Sequence, residues 1–232
     1  MNFDDFEVLT FDCYGTLIDW ETGILSALHP VVERSGMIAE DEMLLEHFAR
    51  IESSLQEEPY RPYREVLADV LRGLGEELGF RPTDAEAKAF GASVATWPPF
   101  SDTVAALTAL RTRYQLAVVS NVDDDLFNGS ARLLEVPFDE VVTAQQVKSY
   151  KPARAHFDEA LRRLGKPMNR VLHIAQSLFH DVAPAKALGF SCVWVNRRAG
   201  RPGGGATSPA DARPDLEVPD LTSLVERMGL EA

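Results

Sequence analysis

The chain has 232 residues, 45% of them hydrophobic, and a formal net charge of -13 from 36 acidic and 23 basic side chains. That length and apolar content are enough for a full core and exclude a disordered chain, and the acidic balance argues against a nucleic-acid partner, whose phosphates need a Lys/Arg face. Cys13 and Cys192 fall in no metal-ligand spacing, and with no basic leader and no eighteen-residue apolar run the expectation is a soluble, cytoplasmic protein with no membrane partner.

Val8 to Phe11 read as a buried strand, which puts Asp12 at a C-terminal strand edge, where open α/β sheets bind ligands. By spacing alone Asp12 serves equally well as a cap. Four segments with helical periodicity follow. They run from Asp19 to Ser35 with Gly36 closing it, from Glu40 to Gln56 (Leu44, Leu45, Phe48, Ile51), from Tyr63 to Leu78, and from Thr83 to Val94. Helices in succession without a strand predict a helical module inserted after the first strand, with Trp97-Pro98-Pro99-Phe100 as the return.

From Asp102 the pattern alternates. A helix to Arg113 precedes the strand Leu116–Val119, which ends in Ser120-Asn121. Then come a helix from Leu126 to Leu134, a strand near 140–142, a helix opened by Lys151-Pro152, a strand over 171–175 and a helix over 182–188. Strands at 192–195 and 216–218 and a helix from Leu221 to Met228 complete the chain. This alternation predicts an α/β fold, a doubly wound and mostly parallel Rossmann-like sheet, carrying the helical cap as an insertion. The expected domains are 1–17 (core), 18–96 (cap) and 97–232 (core). Gly203-Gly204-Gly205 lacks the Lys-Ser/Thr of a P-loop and reads as a mobile surface loop.

Asp12, Ser120, Lys151 and the run Gln176-Ser177-Leu178-Phe179-His180-Asp181 recur at strand ends. An ordinary Asp12 would be ionised at neutral pH, and a nearby Lys151 would hold it so. Ser120 and Lys151 are also open to plain helix-start roles.

Phe11-Asp12-x-x-Gly15-Thr16-Leu17, with those positions following in order, resembles the haloacid dehalogenase superfamily. The resemblance implies a nucleophilic Asp12, an anion-orienting Ser120, a cationic Lys151 and an acidic Asp181. Two positions depart from its phosphatases. Tyr14 stands where they carry a general-acid Asp, and Ala175-Gln176-Ser177 stands where they carry acidic metal ligands. Loss of a general acid removes about 10² to 10⁴ in rate, and loss of the metal several kcal/mol more.

A dehalogenase needs neither group, since halide leaves without a proton. Asp12-Cys13-Tyr14-Gly15-Thr16, Ser120-Asn121 and Tyr150-Lys151-Pro152 look like the (S)-2-haloacid dehalogenases. That resemblance implies conversion of a short (S)-2-haloalkanoic acid to the (R)-2-hydroxy acid through an ester on Asp12, with no cofactor and no metal. The catalytic set is Asp12, Lys151, Asp181 and Ser120. The expected substrate-binding set is Tyr14 as an aromatic wall, Thr16, Asn121, Gln176, Ser177, His180 and a halide-binding cap arginine. Arg50 is the candidate for that arginine, with Arg61 and Arg64 as substitutes. Asp181 would assist the hydrolytic water, and His180 is a further candidate base or a structural histidine. Phe157 replaces a subfamily tyrosine. Asp123-Asp124-Asp125 are expected as a solvated first helical turn. The partner is a small anionic molecule, and a homodimer is open. The alternatives are a phosphomonoester hydrolase with a degenerate Mg²⁺ site and a binding protein of the same fold without turnover.

Overall fold

The protein is described by a computed structural model covering residues 1–201 and 203–231. Its centre is β1 (Val8–Phe11), an apolar strand buried at every position, as a strand covered on both faces must be. The chain then forms four helices, α1 (Trp20–Arg34), α2 (Asp41–Gln56), α3 (Tyr63–Leu78) and α4 (Asp84–Ser93). Each has a local cause. Asp19 caps α1 by accepting from Thr22 N, Thr83 and Glu86 form a reciprocal capping box on α4, and α3 ends at Gly79, whose φ of 83° suits glycine.

The insertion leaves and rejoins the core at one place. Asp19 N donates to Pro98 O at 2.8 Å and Phe100 N donates to Leu17 O at 3.1 Å, so the outgoing and returning chains run side by side. Trp97 is buried against α1 so closely that a Cβ on Gly23 would lie 2.2 Å from its ring. The remainder alternates as α5 (Thr103–Arg111), β2 (Gln115–Ser120), α6 (Asp124–Leu134), β3 (Glu140–Thr143), α7 (Ala144–Val147), α8 (Ala155–Leu164), β4 (Val171–Ala175), α9 (Ala183–Leu188), β5 (Ser191–Val195), β6 (Leu216–Val218) and α10 (Leu221–Arg227). The six strands form one parallel sheet in the order β3-β2-β1-β4-β5-β6, the doubly wound arrangement expected from the alternation. Strand register sets the position of Asp12. Phe11 pairs with Val118 and with Ile174, so the chain leaving β1 at Asp12 comes level with the ends of β2 and β4.

Several local expectations are corrected. The helix expected to open at Lys151-Pro152 begins only at Ala155, which leaves Lys151 in a loop with its side chain 1% exposed. Asp123 is not solvated. It is buried and accepts from Tyr63 N at 2.8 Å, Arg64 N at 3.1 Å and Arg64 Nε at 3.0 Å, so it caps α3 from the core side. The glycine-rich loop is not purely a surface feature either. Residues 205–207 are buried, Gly205 N and Ala206 N donate to Glu42 and Glu21, and Ser208 Oγ bonds Ser53 Oγ at 2.8 Å. Among the described residues no helix is long and apolar enough to cross a membrane.

Candidate active site

The loop after β1 folds back on itself through Leu17 N and Ile18 N, both donating to Cys13 O, and this turn fixes Asp12 above the sheet edge. Asp12 Oδ2 accepts from Thr16 Oγ1 at 2.8 Å and Oδ1 from Lys151 Nζ at 2.9 Å. The same ammonium donates to Asp181 Oδ1 at 2.7 Å and to Val119 O at 2.9 Å. A histidine in the middle of aliphatic β4 completes the cluster, with His173 Nε2 at 2.9 Å from Asp181 Oδ1 and Nδ1 at 3.0 Å from Thr10 Oγ1. Phe157 packs against that imidazole in a T-shaped contact, with centroids 5.2 Å apart.

Two buried carboxylates thus share one ammonium. Burial pushes Asp12 above the ordinary aspartate value, opposed by Lys151 and reinforced by Asp181, so it is not the unperturbed acid expected from sequence. For Asp181 burial also acts upward, but Lys151 and His173 bring it down to about 2. Burial alone would lower Lys151. The charges of Asp12 and Asp181 outweigh it and raise the amine, which stays an ammonium. Burial depresses His180 to about 4 and leaves it a neutral imidazole at neutral pH.

Asp12, Lys151 and Asp181 line a partly open cavity of about 30 Å³ together with Ser120, Asn121, Ser177 and His180. Ser120 Oγ is buried with no partner among the described residues, so its hydroxyl is open to a ligand. Asn121 is already engaged. Its Oδ1 accepts from Lys151 N at 2.7 Å and its Nδ2 donates to Lys151 O at 3.1 Å and to Gln56 Oε1 at 3.2 Å, so it lines the cavity with its amide hydrogens already committed to holding the lysine loop. Tyr14 lines the cavity as an aromatic wall, with its hydroxyl turned to Ser130 Oγ at 2.9 Å and its ring 5.8 Å from Trp97, edge to face.

The helical insertion lines the same cavity through Trp20, Glu52 and Tyr63, none of them anticipated from sequence. Glu52 carried a signal, since it lies four residues after Phe48 and seven after Leu45 and therefore falls on the apolar face of α2. Its Oε1 accepts from Tyr63 OH and Gln56 Nε2, each at 2.8 Å, while Oε2 is buried without a partner among the described residues. Burial raises this carboxyl to about 7.

Arg50 is not part of the cavity. Two residues before Glu52, it points about 200° away around the helix and pairs with Glu77 on the exposed side. Arg61 pairs with Asp69, and Arg64 is taken up by Asp123 and Asp125. Gln176 also lies outside the lining. Its backbone N donates to Thr16 Oγ1 at 2.9 Å, and its Oε1 accepts from Thr207 Oγ1 at 3.1 Å, tying the docked loop to the sheet edge.

The donor set does not suit a divalent cation. Asp12 and Asp181 are bridged by an ammonium, positions 14 and 176 are Tyr and Gln, and no three His, Cys, Asp or Glu side chains converge among the described residues.

Residues 6–189 match the sequence model of the haloacid dehalogenase-like hydrolases. The chain belongs to that family of hydrolases. It is 25% identical over 202 residues to (S)-2-haloacid dehalogenase 1 of Pseudomonas sp. strain CBS-3, a match covering 84% of this chain and 86% of the relative. A glyceraldehyde 3-phosphate phosphatase of Methanothermobacter thermautotrophicus is 35% identical over 101 residues, 42% of this chain and 45% of that one. The fold resembles L-2-haloacid dehalogenase from Xanthobacter autotrophicus, solved with chloropropionic acid covalently bound, at a TM-score of 0.79 and 20% identity over 96% and 98% of the two chains.

Proposed function

We propose that this hydrolase removes halide from C2 of a short (S)-2-haloalkanoic acid through an ester on Asp12, without a metal. One observation carries the reading. The carboxylate of Asp12 is fixed by Lys151 and Thr16 in a small cavity where one ammonium bridges Asp12 and Asp181, with an aromatic ring where a phosphatase would need a general acid.

Asp12 attacks the carbon bearing the halogen from the face opposite the halide, so the electron pair of the C–X bond departs with the halide and C2 inverts. Lys151 offsets the negative charge that the cavity holds before attack. Ser120 Oγ is the hydroxyl available to the substrate carboxylate. Water then attacks Cγ of the ester, and Asp181 Oδ2, buried and without a partner among the described residues, faces this step as proton acceptor. Relatives named as (S)-2-haloacid dehalogenases that match most of the chain support the substrate class. A wider opening of about 370 Å³ meets the cavity at Lys151 and His180 and offers a route for substrate and water.

Incubating EDTA-treated protein with (S)-2-chloropropionate in ¹⁸O water tests this. The expected result is chloride release, (R)-lactate and ¹⁸O in the Asp12 peptide, all lost in Asp12→Asn. Absence of chloride and label, with Mg²⁺-dependent hydrolysis of phosphate esters instead, would overturn it.

A further inference from the structure

Among the described residues, the helical insertion brings a carboxyl group and no arginine to the cavity. Glu52 is 3% exposed, has one oxygen pinned by Tyr63 and Gln56, leaves Oε2 unpartnered among the described residues, and lines the same cavity as Asp12. In-line displacement places the leaving group opposite the nucleophile, and Asp12 belongs to the strand ends. The helical insertion is the other part of the chain that lines this cavity, and Glu52 is its one carboxyl there among the described residues.

We propose that Glu52, as a neutral carboxylic acid, donates a hydrogen bond through Oε2–H to the departing halide, which makes it a residue that selects the leaving group and favours carbon–fluorine cleavage. This rests on the aspartyl-ester reading above. Oε1 is an acceptor for the Tyr63 hydroxyl, so in the neutral acid the proton sits on the unpartnered Oε2. The remaining ionisable groups do not compete for it. Asp12, Lys151 and Asp181 are bonded to one another, Tyr14 turns its hydroxyl to Ser130, His180 is linked to Ser177, and Tyr150 packs against Tyr63. Fluoride concentrates its charge and accepts hydrogen bonds far better than chloride or bromide, so it gains most from a donor. The step balances as R–X plus water giving R–OH plus HX. The C–X pair leaves on X, the Glu52 proton passes to fluoride or is shared with it, the proton that Asp181 takes from water is released to solvent, and Glu52 recovers its own proton from solvent.

The experiment compares fluoro-, chloro- and bromoacetate at saturating substrate, which separates turnover from the KM rise that an ionised Glu52 would impose on every anionic substrate. Glu52→Met removes the donor, whereas Glu52→Gln keeps the acceptor for Tyr63 and puts a non-titrating N–H in place of Oε2–H. Glu52→Met should lower kcat for fluoroacetate by about 10² to 10⁴, with progressively smaller losses for chloride and bromide, while Glu52→Gln should hold most of the turnover. Wild-type kcat for fluoroacetate should fall as pH rises through about 7, where Glu52 loses its proton, and this limb should vanish in both variants. Equal losses for all three halides, or a pH limb retained in Glu52→Gln, would overturn the assignment while ¹⁸O labelling of Asp12 with bromoacetate upheld the ester. Failure of labelling with every haloacetate would remove both readings together. Should the variants not fold, the wild-type contrast between halides across pH decides alone, and parallel profiles would refute the proposal.

Discussion

At the strand ends, Asp12 and Asp181 are bonded to one ammonium, and parallel register brings the ends of β1, β2 and β4 level at that edge. In the same cavity the helical wall offers Trp20, Tyr63 and a carboxyl that is half satisfied, while the nearest arginine in sequence, Arg50, faces outward. The two sides answer to different rules. A strand end has one direction in which to present a side chain, whereas each residue of α2 is turned about 100° from the last, so a shift of two positions exchanges the cavity for solvent. The strand ends carry countercharge built into the fold, and the helical wall carries a group whose charge depends on pH.

The sharpest way to break the first half of the comparison is Lys151→Met. It leaves two buried carboxylates without their cation, and urea unfolding should show a loss of about 3 to 5 kcal/mol together with loss of turnover. A loss under about 1 kcal/mol would mean that the cluster is not held by the ammonium.

Glu52 has a folded value of about 7 against an ordinary 4.5, so its neutral form is favoured by folding. Below 4.5 it is protonated in both states and the full benefit is present. As pH rises from 4.5 through 7 the unfolded chain gives up the proton first, and the contribution declines by about 3 kcal/mol. Glu52→Gln should therefore gain on the wild type over that window, as measured by the pH dependence of urea midpoints, and a constant difference would contradict a buried neutral acid. The smallest effect is expected from Arg50→Ala. An exposed pair with Glu77 contributes about 0 to 1 kcal/mol, and haloacid turnover should stay within about twofold of wild type. A large rise in KM would return Arg50 to the site.

Most of the architecture and the strand-end cluster were legible in the chain itself. Apolar runs, caps and alternation dictate a parallel doubly wound sheet with helices inserted after β1, and period-2 strands leave little choice over where Asp12, Ser120 and Gln176 emerge. The family motif then marks Asp12 and Lys151. His173 was hidden as one polar residue in an aliphatic strand, and its bond to Asp181 exists only because β4 lies beside β1. Only the tertiary structure decided the helical wall, the burial of Asp123 and the docking of the glycine-rich loop. Which face of a helix meets the core is set by rotation against distant partners, and whether an acid is charged is set by what surrounds it once packed.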